Sequence, residues 1–262
     1  MRVRLHLVLC LSGVKHAYYF LQLVLGEISG QESDPALKAV GLLARVAKSA
    51  DESVTEEAAE MVREWIEDPS VCRNETAMIV AATVLRLAED YETALKACHM
   101  AGGMENMAMA VQIMLDMNRV DAAQKMVTKM SEIDDDDTLA QLSAALVGSR
   151  QGGRKLQEAY YIYQELGDKY TWTVKLHNGL ACCQMEMERW EDAEAELLQA
   201  FEKNPKDADT LSNLAVVSLH LGKSANRYIG LLESSAPKHP MALRMNAAET
   251  AFDAALEATH VA

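Results

Sequence analysis

Basic residues are scarce in this sequence relative to acidic ones. Its 262 residues include 25 Lys and Arg against 39 Asp and Glu, a formal net charge of −14 at pH 7. Proteins that bind nucleic acid neutralise phosphates with a basic face, and no cluster of Lys and Arg is visible here. The composition therefore argues against direct binding of nucleic acid.

Cysteines are few, odd in number and unpaired in the sequence. The five are Cys10, Cys72, Cys98, Cys182 and Cys183, and none forms a CxxC pair. Disulfide scaffolds of small secreted proteins and structural zinc sites both depend on paired cysteines at short spacing. The pattern predicts reduced, buried thiols in a cytosolic protein, without a bound metal.

Long apolar runs are missing as well, since none approaches the ~18 residues that a membrane-spanning helix needs. Residues 1–13, MRVRLHLVLCLSG, place two arginines before a short apolar run and so resemble a weak secretory signal. His6 interrupts the run, and no A-x-A cleavage site follows. We interpret residues 1–16 as an atypical N-terminal segment and keep a signal peptide as the alternative.

Catalytic motifs are missing too. VGSRQGGRK (147–155) has phosphate-loop glycine spacing, but Arg154 and Lys155 stand where that loop needs Lys and Ser/Thr. Neither GxSxG nor HExxH occurs. The sequence predicts a protein that is not an enzyme and has no cofactor, with Gly152 and Gly153 in a hairpin turn.

The acidic run at residues 134–137 does not form a calcium loop. Such a loop needs Gly at its sixth position and Glu at its twelfth, where this sequence has Leu139 and Ala145. The run occupies the position of a turn between helices. We therefore predict a solvated turn with Asp137 as the N-cap of the next helix.

What the sequence does have is a helical hairpin. Trp190, Ala193, Leu197, Ala200 and Phe201 recur at the spacing of one helix face. A second helical pattern precedes it at residues 175–186, and Glu188-Arg189 makes the turn between them. The unit is about 34 residues long, the size of a tetratricopeptide repeat.

The hairpin recurs along the chain. Ala193 has counterparts at Ala159, Ala123 and Ala94, in each case a small residue where two helices cross, whereas Arg227 breaks the rule farther on. Upstream the period loosens, but the helical patterns continue. We predict an all-α fold, a tetratricopeptide-like α-solenoid (a right-handed superhelix of helical hairpins) over residues 17–262, without an internal domain boundary.

A solenoid of this kind binds proteins on its concave surface. The first-helix positions that face such a groove are small and mostly uncharged, and we predict that they form a partner-binding groove: Ala108, Gln112, Ala144, Gly148, Asn178, Cys182, Ser212 and Val216. No lysine is among them, which argues against the Lys-Asn clamp that holds chaperone carboxylates. Arginine at Gly148 or Ser212 is expected to spare folding and weaken partner binding.

A methionine cluster accompanies these positions. It consists of Met100, Met104, Met107, Met109, Met114 and Met117. Core filling between loosely matched repeats is the favoured interpretation, and an adaptable binding surface is the alternative.

Several segments carry a specific family resemblance. They are VLGEIS (24–29), ALKACHMAGGMENMAMAVQIMLDMNRVDAA (94–123), LAQLSAALV (139–147), KLQEAYYIYQEL (155–166) and ERWEDAEAELLQAFEKNPKDADTLSNL (188–214). Together they resemble the epsilon subunit of coatomer, the COPI vesicle coat, from about Ala17 to the C-terminus.

The resemblance implies a function. It implies a non-catalytic subunit that binds and stabilises the C-terminal domain of the alpha subunit of coatomer and, through it, joins the rest of the coat. It also implies retrograde Golgi-to-ER and intra-Golgi transport, with cytoplasmic location and indirect, peripheral attachment to Golgi membranes and COPI vesicles. A tetratricopeptide adaptor in another cytosolic complex stays open, as does a secreted or organellar helical protein if residues 1–13 are a signal.

Overall fold

The computed structural model describes residues 34–49 and 52–260, and throughout these two ranges the secondary structure is helical, without strands. The prediction of an all-α protein is thus confirmed. Residues 1–33, which include the atypical N-terminal segment, Cys10 and the first segment of the family resemblance, lie outside the described residues. The helices are α1 (Pro35–Ser49), α2 (Glu52–Glu67), α3 (Glu75–Leu87), α4 (Tyr91–Ala101), α5 (Gly103–Asp116), α6 (Val120–Ile133), α7 (Thr138–Gln151), α8 (Gly153–Lys169), α9 (Val174–Glu186), α10 (Trp190–Lys203), α11 (Ala208–His220), α12 (Asn226–Ser235) and α13 (Pro240–His260).

The helices divide between two compact units, with the boundary after Ile162 in α8. In the first unit α3 pairs with α4 and α5 with α6, while α1, α3, α5 and α7 pack side by side as first helices. In the second unit α9 pairs with α10 and α11 with α12, and α9 packs against α11. Each unit is therefore a run of helical hairpins in which successive first helices touch.

Small residues lie where the paired helices cross. Ala94, Ala123, Ala159 and Ala193 are each at most 1% exposed, which confirms the repeat alignment. Arg227, where the sequence lacks the small residue of the repeat, is exposed. The buried small residue nearby is Ala225. Close helix contact excludes larger side chains at these positions because the core has no spare volume.

Four hairpin turns share one backbone geometry. Glu89, Asn118, Glu188 and Gly222 all have a left-handed φ, between 57° and 68°. In each turn the next residue donates its N–H to the carbonyl five residues back, at 2.7–2.9 Å. This Schellman-type closure satisfies carbonyls that the helix end leaves free. The predicted turns at Glu188 and Gly222 thus have the same conformation.

The glycine pair Gly152-Gly153 makes a different turn. A single residue separates α7 from α8, whereas three separate α9 from α10. Gly152 has φ 74° and ψ −168°, close to the φ 68° and ψ −156° of Gly102 between α4 and α5. The turn prediction for VGSRQGGRK is confirmed, but its geometry follows Gly102-Gly103 rather than Glu188.

The acidic run at residues 134–137 ends in a helix cap. The carboxylate of Asp137 accepts a hydrogen bond from the N–H of Leu139 at 2.7 Å, at the start of α7. Thr173 and Asp207 cap α9 and α11 in the same way. The N-cap prediction for Asp137 is confirmed, because a short polar side chain here satisfies an otherwise free helix N–H.

The methionine cluster is mostly internal. Met109 is buried, and Met104, Met107 and Met114 pack against the core of the first unit. Met100 and Met117 are exposed. The arrangement supports the core-filling interpretation for most of the cluster.

None of the helices in the described ranges has the length and hydrophobicity to cross a membrane.

Candidate protein-interaction surface

In the first unit, the predicted groove positions belong largely to the core. Ala108 is buried in a cluster with Val111 and Val147, and Ala144 packs against that cluster. Gln112 is half-buried, and its Oε1 accepts a hydrogen bond from Nη1 of Arg86 at 3.4 Å. These positions offer little free surface to a partner.

Gly148 faces the second helix of its own hairpin. A Cβ built on Gly148 would lie 2.7 Å from the carbonyl oxygen of Lys155 and 3.3 Å from Cβ of Ala159. The absence of a side chain here lets α7 and α8 approach closely. The expectation that Gly148→Arg would spare folding is therefore wrong, because any side chain would enter this crossing.

In the second unit, Asn178 is an internal link between first helices. It is 6% exposed, and its Nδ2 donates to the carbonyl of Val174 at 2.9 Å and to Oγ1 of Thr210 at 2.7 Å. Its Oδ1 accepts from Nδ2 of Asn213 at 3.0 Å. All three bonds are internal, so Asn178 holds α9 against α11 instead of presenting a free amide.

The polar link continues to a buried carboxylate. Oγ1 of Thr210 donates to Oδ2 of Asp207 at 2.7 Å, and the N–H of Thr210 donates to the same oxygen at 3.0 Å. Nζ of Lys175 lies 4.0 Å from the other carboxylate oxygen of Asp207. A satisfied buried network of this kind fixes the alignment of the two helices.

Cys182, Ser212 and Val216 are half-buried, and Ser212 and Val216 lie one helical turn apart on α11. Nδ2 of Asn213 reaches Sγ of Cys182 at 3.6 Å, and the hydroxyl of Ser212 donates to Sδ of Met241 at 2.9 Å. Burial, with a smaller contribution from neighbouring Cys183, raises the pKa of the Cys182 thiol to about 11. The thiol is therefore neutral and unreactive at physiological pH.

An ion pair crosses the edge of this surface. Nζ of Lys175 lies 2.7 Å from Oδ2 of Asp209, and Nε2 of His239 lies 3.5 Å from Oδ1. Desolvation alone raises the pKa of Asp209, but the hydrogen bond and charge of Lys175, helped by His239, hold that pKa below its ordinary value. Lys175 is thus neutralised by Asp209 and is not an isolated cation of the kind that a carboxylate clamp uses.

The most exposed apolar residue on this face, Leu219, is not among the predicted groove positions. Leu219 lies three residues after Val216 on α11 and is 61% exposed. Met185 has the same relation to Cys182 on α9 and is half-buried. The helical spacing that selected Ser212 and Val216, continued for one turn, would have found both. We call Cys182, Met185, Ser212, Val216 and Leu219 the α9–α11 face.

Metal-binding side chains do not converge in the part of the chain that the structure describes, where no three of His, Cys, Asp and Glu are close enough to hold an ion. The α9–α11 face is instead made of apolar, hydroxyl and neutral thiol groups. Such a surface is suited to contact with another protein.

Comparison with known proteins gives a consistent result. A family model described as the coatomer epsilon subunit matches residues 10–260. Coatomer subunit epsilon-1 of Arabidopsis thaliana is 42% identical over 247 residues, which are 93% of this chain and 84% of that protein. Coatomer subunit epsilon-2 of Oryza sativa subsp. indica is 45% identical over 90% of this chain and 79% of its own length. The Dictyostelium discoideum coatomer subunit epsilon is 34% identical, covering 86% and 76%.

Solved structures support the fold. A tetratricopeptide repeat protein from Parabacteroides merdae superposes with a TM-score of 0.64 at 14% identity, covering 87% of this chain and 96% of that one. A chain of the APC/C hetero-tetramer Cut9-Hcn1 gives a TM-score of 0.63 at 18% identity, covering 87% and 45%. These similarities confirm the predicted tetratricopeptide-like fold.

Proposed function

This chain belongs to the coatomer epsilon subunit family, and from that premise we propose that it binds and stabilises the C-terminal domain of the alpha subunit within the COPI coat. Membership of the family makes it a COPI coat subunit; the choice of partner within the coat is the step proposed. The proposed traffic is Golgi-to-ER retrograde and intra-Golgi, with the chain held on the cytosolic side of the membrane through the coat and without catalysis of its own.

The observation that carries the proposal is the apolar character of the α9–α11 face. Leu219 is 61% exposed on it, and Val216 and Cys182, which belong to the same face, are half-buried. Exposed helix positions usually carry Glu, Lys, Gln or Arg, and this acidic chain has such residues in abundance elsewhere. Their replacement by apolar groups on one face indicates a surface that a partner covers.

Burial of this face would supply binding free energy, at about 25 cal/mol per Å² of apolar surface removed from water. The first halves of α9 and α11 are held together by the buried network around Asn178 and Thr210, and Asn213 of α11 reaches Cys182 of α9 nearer the face. A partner would therefore meet a preformed surface and would lose little free energy in ordering it.

The test is direct binding of the full chain to the alpha subunit's C-terminal domain, measured by isothermal titration calorimetry. Leu219→Arg is expected to weaken binding at least tenfold, about 1.4 kcal/mol. Leu198→Arg is the matched control, because Leu198 is also exposed but lies on α10. The proposal fails if the parent chain does not bind the domain. Equal weakening by both variants would mean that the α9–α11 face is not the contact.

Ser212 and Gly148 are less suitable positions for this test. Ser212 donates its hydroxyl to Met241, so an arginine would displace a packed methionine. Gly148 lies in a helix crossing. Loss of binding by either variant would not separate a lost contact from a local rearrangement.

A further inference from the structure

A chain of hydrogen bonds with a single direction runs through the second unit from Asp207 to Asn213. It starts at a carboxylate, which accepts from the hydroxyl of Thr210 at 2.7 Å. Because that hydroxyl hydrogen is committed to Asp207, Oγ1 of Thr210 accepts from Nδ2 of Asn178 at 2.7 Å. The second hydrogen on this nitrogen goes to the carbonyl of Val174 at 2.9 Å, which can only accept. The amide of Asn178 therefore has one possible orientation.

The orientation of the Asn213 amide follows from that of Asn178. Oδ1 of Asn178 can only accept, so Asn213 must present its Nδ2 to this oxygen, at 3.0 Å. The same nitrogen reaches Sγ of Cys182 at 3.6 Å, which uses its second hydrogen. A flipped amide would place two carbonyl oxygens against each other. Asn213 thus enters the network only as a donor, and its Oδ1 takes no part in it.

Oδ1 of Asn213 is an acceptor that water can reach. No residue that the structure describes donates to it. The buried side-chain atoms without a partner in the described ranges belong instead to Asn106, His177 and Gln184. Asn213 is half-buried and contacts Cys182, a member of the α9–α11 face. The oxygen therefore lies at the border of that face, in an orientation that the buried network fixes.

The groups around this oxygen favour a neutral donor. The thiol of Cys182 is neutral, and Asp209, one helical turn before Asn213, is already paired with Lys175 and His239. A cation that approached Oδ1 would leave water for a largely apolar surface, which is costly without a free carboxylate beside it. A backbone N–H loses less hydration, and it needs an acceptor when it is buried at an interface.

We propose that Oδ1 of Asn213 accepts a hydrogen bond from a backbone N–H of the partner segment that covers the α9–α11 face. The network that starts at Asp207 holds this oxygen in place before the partner arrives, so little free energy is lost in ordering it. Asn213 accepts from the partner and donates only within its own chain. The inference rests on the proposed function, in which the partner is the C-terminal domain of the alpha subunit.

The first test compares two asparagines in the full chain. Asn213→Ala should weaken binding to the alpha subunit's C-terminal domain about three- to tenfold, the range for one hydrogen bond between neutral groups. Asn226→Ala, at an exposed asparagine of α12, should change the affinity less than twofold. The loss for Asn213→Ala should be the same at low and high salt. A loss that shrinks with salt would identify a Lys or Arg donor, because salt screens charges, and would overturn the proposal.

The second test leaves every residue in place and separates a contact from a structural role. The chain is labelled with carbon-13 at asparagine and the alpha subunit's C-terminal domain with nitrogen-15, and the complex is studied by solid-state NMR. A hydrogen bond places the donor nitrogen within about 4 Å of Cγ of Asn213. Magnetisation should therefore pass between that carbon and a nitrogen at a backbone amide frequency. Asn178 is the internal control, because its Oδ1 already accepts within the chain and its Cγ should show no such transfer.

The results distinguish this inference from the proposed function. If the parent chain does not bind the alpha subunit's C-terminal domain, the proposed function fails and this inference fails with it. If the parent chain binds but Cγ of Asn213 shows no transfer from a partner backbone nitrogen, this inference alone is overturned, whatever the affinity of Asn213→Ala. Equal affinities of Asn213→Ala and the parent chain would also overturn it and leave the proposed function standing.

Discussion

Trp190 and His220 stack face to face, with ring centroids 3.7 Å apart and planes inclined by 5°. Trp190 begins α10 and His220 ends α11. The stack therefore ties the second helix of one hairpin to the first helix of the next. It lies at the opposite end of α11 from the Thr210 network, so α11 is fixed at both ends.

Removal of the imidazole should loosen this end of α11. His220→Ala is expected to lower the free energy of unfolding by about 0.5–1.5 kcal/mol, the range for stacked aromatic pairs. His220→Phe retains a flat ring and should lose less. Urea unfolding followed by circular dichroism measures both variants; an unchanged midpoint for His220→Ala would show that the stack contributes nothing.

The left-handed turn residues offer a route to higher stability. Glu188 adopts φ 59°, a conformation that costs a residue with a side chain roughly 1–2 kcal/mol. Glu188→Gly should therefore stabilise the chain by about 0.5–1 kcal/mol after the greater chain entropy of glycine is subtracted. Asn118→Gly should gain less, because Asn tolerates this conformation.

Thermal unfolding of the glycine variants checks that expectation. Gly222→Ala serves as the reverse control, since Gly222 has φ 68° and would acquire a side chain. Its melting temperature should fall while that of Glu188→Gly rises. Shifts in the same direction for both would contradict the argument from backbone conformation.

The helix crossing at Ala193 should not accept a large side chain. Ala193 is fully buried, and overpacking of a dense core costs about 1–3 kcal/mol. Ala193→Trp is expected to lower the urea midpoint clearly. Ala195→Trp is the matched control on the same helix, because Ala195 is exposed. Coincident urea unfolding curves for the two variants would contradict the assignment of Ala193 to a close helix crossing.

Acid should weaken the contact between α9 and α11. The ordinary pKa of an Asp carboxyl is 3.8, and that of Asp209 in the folded chain is lower. The ionised form is thus favoured by folding, so its stabilisation is present above pH 3.8 and is lost as pH falls through the folded pKa. Because Asp209 is half in solvent, the effect should stay below about 1 kcal/mol.

Asp209→Asn separates this effect from general acid unfolding. Between about pH 5 and pH 2, the range over which a depressed carboxyl titrates, the variant should lose less stability than the parent. Asp135→Asn is the control, because Asp135 is exposed and forms no ion pair within the described residues. If the free energy of unfolding depends on pH in the same way for the parent and for Asp209→Asn, the Lys175–Asp209 ion pair does not contribute to the acid sensitivity.

Local pattern was enough to predict the hairpins. The spacing of Ala94, Ala123, Ala159 and Ala193 identified the helix crossings, because a crossing needs a small residue whatever its neighbours are. The cap at Asp137 was predictable for the same reason, since it satisfies a helix N–H two residues away. Both depend on residues close in sequence.

The faces of the first helices were harder to predict. The burial of Asn178 depends on Thr210 and Asn213, which lie 32 and 35 residues away, and no repeat rule specifies that network. Gly148 was placed in the groove because it is a small residue of a first helix, whereas its small size serves the close approach of Lys155 and Ala159 of α8.

The small sequence separation of the residues that Asn178 binds also has a consequence for how the chain folds. Contacts between successive first helices join residues about one repeat apart, as Asn178 and Asn213 do at 35 residues. Low contact order of this kind favours rapid folding, and repeat arrays can nucleate at any hairpin and propagate to the next. On a ribosome, α9 could close against α11 once both had emerged, well before α13 was made. Pulse-labelling hydrogen exchange should accordingly show the amides of α9 to α11 protected ahead of those in the second half of α13.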